Sequence, residues 1–334
     1  MGKIQHNPMK AIQTTGHIFH CGNFRFARAG LFLLFAMIVN LNPVQAQFRK
    51  TGTVGYTFLE IPVTARQAAL GQAVGSLVNH GAILPLFVNP ATLGMQSGIG
   101  VGVTSSNWIA DIRHHVAGIT FSTASIGNFG IGINFVDYGD IPRTELTTSS
   151  GEYTSLGTYT AQSAAVGLTY SRQLTDKFAW GLRTNWVRET IFEFSSSNVL
   201  VDLGVIYFTG FKSLRIGGYI NHFGLDSKFI GDSFKMPTEL RLSFAYDLLA
   251  TENHFLILIG EVSHPSDNPE RIHMGLEYQL AGFLFFRTGY KWNFDEDPFA
   301  FGAGIMWKKY MLDVAVIPFG RFPSVMYLTF QKEF

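Results

Sequence analysis

The sequence predicts an all-β protein, a transmembrane antiparallel β-barrel of about fourteen strands. Three observations carry this. Hydrophobic residues make up 47% of the 334 residues and charged residues only 15%, against about 25% charged in an average soluble domain. Segments of about 9–13 residues alternate apolar and polar with period 2, longer than the ~5–6 of ordinary soluble strands and long enough to cross a bilayer at a tilt. No segment after residue 46 reaches the ~18 consecutive apolar residues of a membrane helix. Aromatic content is 14%, with 31 Phe and 12 Tyr, and Gly numbers 35. A β-protein with much apolar outer surface has this composition.

The chain opens with a secretion leader. Lys3, Lys10, Arg25 and Arg28 precede the apolar run AGLFLLFAMIV, and no acid occurs before residue 47. That run is too short to span a membrane as a helix, and Val44 and Ala46 give the small-residue pattern of a signal peptidase site. Residues 1–46 are therefore predicted to be removed, with the mature chain starting at Gln47. The only cysteine, Cys21, leaves with them, so the mature chain has no disulfide and no thiolate chemistry. Four of the 25 basic residues leave too, so 21 remain against 24 acids. A chain so balanced has no basic footprint for nucleic acid.

The strands follow in order. FGIGINF places Phe129, Ile131, Ile133 and Phe135 on one face. TELRLSFAYDL places Leu240, Leu242, Phe244, Tyr246 and Leu248 on one face, with Glu239, Arg241, Ser243, Ala245 and Asp247 opposite. RIHMGLEYQL repeats the pattern with Ile272, Met274, Leu276 and Tyr278 against Arg271, His273, Gly275 and Glu277. An apolar face toward lipid and a polar face toward a wet lumen is the barrel arrangement. The terminal MYLTFQKEF alternates likewise and ends on Phe334. Trp108, Trp180, Trp186, Trp292, Trp307 and Tyr310 fall near strand ends, where membrane-interface girdles lie.

An even strand number puts both chain ends on the periplasmic side, with long odd connections outside the cell and short even ones inside. The odd connections include 137–159, 189–198, 222–237, 263–270 and 293–298, whereas 124–128, 172–177, 280–282 and 308–310 are short. The connection 319–322 is a short exception. The Ser/Thr/Gly-rich stretch 144–158 reads as a mobile loop able to touch a partner.

No set of residues argues for an enzyme. His114 and His115 are adjacent and point to opposite faces of a strand, so they cannot chelate together. The remaining histidines lack metal spacing, and there is no GxSxG elbow. The GxG phrases lie within strands, so they do not cradle phosphate. DEDP at 295–298 reads as a solvated acidic loop. No catalytic residue, metal or cofactor is expected.

Residues 65–94, ARQAALGQAVGSLVNHGAILPLFVNPATLG, stand apart as a short helix followed by an apolar loop. With the flanking phrases FLEIPVTAR and NWIADI they resemble the PorV/PorQ family, a branch of the FadL-like outer-membrane barrels. The matching positions are Phe58, Leu59, Ile61, Ala65, Arg66, Ala68, Gly71, Ala73, Asn89, Pro90, Ala91, Trp108 and Asp111. The stretch VNHGAILPLFV departs from the family, which carries an acidic pair and an aromatic residue there. The resemblance implies a fourteen-stranded barrel with an N-terminal plug in its lumen, in the outer membrane of Bacteroidota-like bacteria. Residues 47–97 are then the plug and 98–334 the barrel. Arg66, Gly71, Asn89, Pro90 and Ala91 are the plug and lumen residues, with Arg66 and Asn89 holding the plug to the wall. Trp108, Asp111, Tyr153 and Phe229 are the candidate extracellular rim. Relatives of this kind serve type IX protein secretion, so the expected partners are outer-membrane lipid and secretion cargo domains or surface-complex subunits bound at the rim. The alternative is a FadL-like transporter of small hydrophobic molecules, suggested by the apolar plug. On this reading Leu242→Arg puts a charge on the lipid face, and Ser243→Arg, facing a wet lumen, is expected to be far milder.

Overall fold

A computed structural model describes residues 52–334 except 79–80, 124, 147–152 and 295. The leader 1–46 and the predicted start at Gln47 lie outside the described residues. Fourteen antiparallel strands close into one barrel. They are β1 Ile99–Asn107, β2 Arg113–Thr123, β3 Gly127–Leu146, β4 Tyr153–Thr175, β5 Phe178–Ile191, β6 Phe194–Phe208, β7 Arg215–Phe223, β10 Glu239–Ala250, β11 His254–Pro265, β12 Arg271–Leu280, β13 Leu284–Trp292, β14 Phe299–Trp307, β15 Tyr310–Phe319 and β16 Phe322–Glu333. A small hairpin, β8 Ser227–Lys228 with β9 Ser233–Phe234, stands in the connection from β7 to β10. Each barrel strand pairs with the next, and β1 pairs with β16 to close the ring. Closure leaves no sheet edge within the membrane, so every strand has a partner for its backbone polar groups on both sides.

The faces are those of a membrane barrel. Leu242 is 60% exposed and its neighbour Arg241 only 8%. Apolar Leu240, Phe244, Ile272, Met274, Leu328 and Phe330 all face out. Glu261, His273, Glu277, Arg287 and Asp313 are buried inside. This inverts the order of a soluble protein, in which charges face the solvent. Trp292 at one end of the wall and the stacked pair Trp307 and Tyr310 at the other face outward as girdle residues do. Trp108 does not. It turns inward, edge-on to Phe319 and to buried Tyr327.

Two connections differ from the sequence expectation. The described residues of 137–159, which are 137–146 and 153–159, are strand: β3 and β4 pair there, with register slips near Asp137 and Pro142. Hydroxyl-rich and glycine-containing sequence reads as loop, yet each strand satisfies the other's backbone. The stretch 189–198 is also strand, with only Phe192 and Glu193 turning between β5 and β6.

The lumen is filled by the chain's own N-terminal segment. A 3-10 turn Thr57–Glu60 leads to helix α1, Ala65–Ala69, capped by the Thr64 side chain, which accepts from Gln67 N. Two further 3-10 turns follow, Leu84–Leu86 and Pro90–Met95. Alanines of α1 lie against Ala300, Ala315 and Ile317 of the wall, small against small. Across the lumen the wall carries a belt of glycines in register, Gly102, Gly118, Gly132 and Gly167. A side chain on Gly118 would begin 2.7 Å from Leu86, and one on Gly132 2.7 Å from Phe87. The belt is the seat of the plug.

The first described residues lie at the opposite end of the barrel from Phe334. Val54 bridges to Lys235 in the β7–β10 connection, and Gly55 N donates to Lys235 O at 3.1 Å. Phe334 is bonded to Ile99 at the other rim. From Gly52 onward the segment therefore threads the lumen from one rim to the other.

The filled lumen also changes the expectation for Ser243. Its hydroxyl meets Ser76 of the plug at 2.6 Å. Leu242→Arg is expected to cost roughly 2–4 kcal/mol of barrel stability, read as a lowered midpoint in urea-driven unfolding from bilayers. Ser243→Arg is expected to leave the strands folded and expel the plug, read as new protease cleavage between residues 65 and 95. Unchanged cleavage there would mean that Ser243 does not carry the plug.

Candidate functional site

Two groups of residues define the interior, a polar lock that holds the plug and a cavity at the loop end. The lock begins with Arg66 on α1. Its guanidinium forks onto Glu277 of β12, with Nε to Oε2 at 2.8 Å and Nη2 to Oε1 at 2.6 Å. Glu277 also accepts from Arg287 Nε at 2.5 Å, and Arg287 Nη1 reaches Asp313 at 2.6 Å. All four side chains are nearly inaccessible. Charges so buried are tolerable only when paired, and bidentate geometry makes these pairs strong.

A second cluster continues the lock. Glu261 of β11 accepts from Arg241 at 2.8 Å, from Tyr219 at 2.7 Å and from the backbone of Gly75 in the plug at 3.0 Å. Asn89 donates to Gly75 O at 2.8 Å and to Val205 O on β6 at 3.2 Å, while its oxygen accepts from Ala91 N. It thus caps the Pro90–Met95 turn and fastens it to the wall. Pro90 and Ala91 lie directly over Gly181, where a Cβ would collide with their backbone. Gly71 has φ +61° and packs its backbone on Gly289 and Tyr290, an approach that only glycine makes without strain.

The rim residues are less uniform. Asp111 is exposed in the β1–β2 turn, and Tyr153 is 73% exposed at the start of β4. Phe229 is half-buried in the β8–β9 turn. Trp108 stands with the cavity instead. That cavity, about 420 Å³, has walls of Phe58, Ile61, Trp108, Phe294 and Phe319. Its charged groups are Glu60, Arg241, Arg271, Lys291 and Asp297, and Thr57, Gln72 and Tyr138 add neutral polar ones. Arg271 and Lys291 both stack on Phe294, at 4.7 and 4.2 Å from the ring centre. Lys291 also pairs with Asp297. Tyr56 anchors the strap over the cavity, its hydroxyl donating to Ser196 at 2.8 Å and its ring edge-on to Phe234.

Glu60 of the strap is 3.7 Å from Arg271. Burial pushes its carboxyl up to about 7; Arg271 opposes the rise, and Asp267 and Glu239 add to it. Among the described residues no group of His, Cys, Asp or Glu could hold a metal ion. His114 points in to Asn134 at 2.7 Å, and its neighbour His115 points out. Asp297, from the stretch read as a solvated acidic loop, turns inward to Lys291. Sequence reasoning marked Glu277 and Arg241 as lumen residues but passed over Arg183, Arg287 and Asp313. Their signal was a lone charge on the inner side of an alternating strand.

Fold and interior together define a plugged transmembrane barrel of the outer-membrane type. The chain matches no protein-family model and no curated protein. Among solved structures it is similar to the monoaromatic hydrocarbon channel CymD, with TM-score 0.58 and 12% identity, covering 82% of this chain and 98% of that one. It is similar to the Ralstonia pickettii toluene transporter TbuX, with TM-score 0.56 and 14% identity over 81% and 98%. A Pseudomonas aeruginosa FadL homologue matches with TM-score 0.52 and 10% identity over 82% and 99%. At these identities the likeness is one of fold, and it is FadL-like.

Two outcomes follow from the lock and the strap. Arg66→Ala is expected to cost about 3 kcal/mol, the low end for breaking a buried pair because Arg287 still attends Glu277. Unfolding midpoints of this variant and of Arg66→Met/Glu277→Gln check it, the double variant recovering part of the loss. Glu60 is protonated more readily in the folded strap than in the unfolded chain, so its contribution is present below about pH 4.5 and is lost as pH rises through about 7. Hydrogen exchange at residues 54–62 is expected to be slower at pH 5 than at pH 8 after correction for intrinsic rates, and Glu60→Gln is expected to flatten the difference.

Proposed function

We propose that the protein is an outer-membrane channel for small hydrophobic molecules, with the cavity beneath the N-terminal strap as its outer binding site. The observation that carries this reading is the cavity itself. It has aromatic walls and a charged side formed by Glu60, Arg241, Arg271, Lys291 and Asp297, and it opens at the end of a barrel whose lumen is closed by a segment of the same chain. Clefts of this size that combine aromatic walls with placed polar groups are the usual form of a small-molecule site. The described activities of CymD and TbuX, a hydrocarbon channel and a toluene transporter, support the same reading. On it, the loop end faces the outside of the cell and Phe334 faces the periplasm. Residues 1–46 are the leader and 47–97 the plug. Passage requires the plug to shift. Its Ile83, Leu86 and Phe87 rest on the glycine belt by apolar contact, which yields more readily than the ion pairs of the opposite wall.

A second reading, surface docking of type IX secretion partners as in the PorV/PorQ family, is favoured by the β3–β4 ribbon. That ribbon extends past the ends of β2 and β5 and exposes Leu146, Tyr153 and Leu156.

The two readings separate in cells. Toluene is expected to enter cells that make the protein several times faster than cells that lack it, and Phe319→Arg is expected to abolish the gain. Equal entry rates, with surface-anchored cargo lost from the deletion strain, would transfer the assignment to secretion.

A further inference from the structure

The lipid face of the barrel carries large apolar side chains along most of its strands, and one place on it is hollow. Val103 of β1, Ala117 of β2 and Ile133 of β3 stand abreast in register. The small Ala117 leaves a trough between its neighbours. The trough encloses about 440 Å³ and is lined by Val101, Val103 and Ala117, with Phe330 on the β16 side and Ile131 and Ile133 on the β3 side. Val103, Ile133 and Phe330 are exposed, so the trough lies outside the wall and not in the lumen. It continues past Ala117 to Ser105 in a second hollow of about 370 Å³. Val101 to Ser105 spans roughly 13 Å at the ordinary rise of a strand, close to half of the ~30 Å hydrocarbon core.

The trough ends beside a cation. Lys332 of β16 is the register partner of Val101, and it shares the outer face of its strand with Phe330 and Phe334. Its ammonium lies 5.1 Å from the ring centre of Tyr310 and 4.0 Å from that of Phe334. Tyr310 stacks in turn on Phe330 and on Trp307, and Lys308 lies 4.9 Å over the Trp307 ring. These rings and the two ammonium groups form one platform across β14, β15 and β16. Among the described residues neither lysine makes an ion pair. Glu333, the adjacent acid, turns to the lumen side beside Ala82 and Gln96.

Snorkelling alone does not account for this arrangement. A lysine that only escapes the membrane extends its stem and holds the ammonium in water. Lys332 is half-buried and bent onto two rings at the head of the trough. Nor does the trough choose an occupant by itself, because all acyl chains are equally apolar to it. The choice lies with the head group, and two unpaired ammonium groups at the membrane interface favour an anionic one.

We propose that the trough and the lysine platform are one seat for an anionic phospholipid, with an acyl chain lying over Ala117 and the phosphate held by Lys332 and Lys308. The seat rests on the membrane barrel and not on the channel reading, from which only the leaflet, the periplasmic one, is taken.

The test uses the purified full chain in detergent, with phosphatidylglycerol and phosphatidylcholine of identical acyl chains as probes and native mass spectrometry to count the lipid retained. Phosphatidylglycerol is expected to be retained in preference to phosphatidylcholine. Lys332→Gln is expected to weaken phosphatidylglycerol roughly fivefold, the scale of one basic side chain at an anionic surface, and to leave phosphatidylcholine unchanged. Ala117→Phe, which fills the trough, is expected to lower retention of both lipids. Lys212→Gln, at another turn of the same rim, serves as the control and is expected to change neither. Heat-modifiable migration on a gel confirms that each variant is folded. Should Lys332→Gln fail to fold, Lys308→Gln and Ala117→Phe decide. Equal retention of the two lipids, equal losses in Lys332→Gln and Lys212→Gln, or retention unaffected by Ala117→Phe would overturn the seat. Glycerophosphoglycerol, the same head group without chains, is expected not to bind, and its retention through Lys332 would assign the lysines to a free phosphate ester and overturn the seat as well. Phosphatidylglycerol held through Lys332 in a protein that admits no toluene would retain the seat and remove the channel reading.

Discussion

The fork between Arg66 and Glu277 is the interaction on which the rest of the structure depends. It joins a five-residue helix, far too short to persist alone, to a strand of the barrel wall. Arg66 cannot be buried without Glu277, because an unpaired charge in the lumen would cost several kcal/mol. Arg287 and Asp313 extend the pair into a chain of alternating charge across β13 and β15. The plug is therefore part of the fold, since three wall strands carry inner charges whose balance includes it.

The opposite wall is built on another principle. There Ile83, Leu86 and Phe87 meet the glycine belt, and Asn128 and Ser171 donate to the plug carbonyls of Leu93 and Ala91. One side of the lumen holds the plug with ion pairs, and the other with glycine-seated apolar contacts and neutral hydrogen bonds. The mouth cavity lies at one end of this interior, with the plug between the glycine belt and the lock.

Much of the barrel was legible in the sequence, and the reason is local. An alternating strand states its own inside and outside, so Leu242 and Arg241 could be assigned to opposite faces from neighbours alone. The errors have equally definite causes. Residues 137–159 read as loop because Gly, Ser and Thr favour turns, whereas the two strands supply each other's hydrogen bonds beyond the end of β2. Trp108 read as a girdle residue because it ends a strand, but Phe319 and Tyr327 make an aromatic recess for it inside. Ser243 read as wet because its face is polar, yet the space before it is taken by Ser76. In each case the missing information was what lies across a gap.

By itself the sequence determined the class of the protein, the number of strands, the facing of their side chains and the presence of a distinct segment before them. These are properties of neighbouring residues, set by the period of the backbone. Only the tertiary structure decided which inner charges meet, since Arg66 and Glu277 are 211 residues apart. It decided as well that the N-terminal strap reaches the loop end. Barrel closure sets those distances, because strands far apart in sequence become facing walls only when the last one pairs with the first.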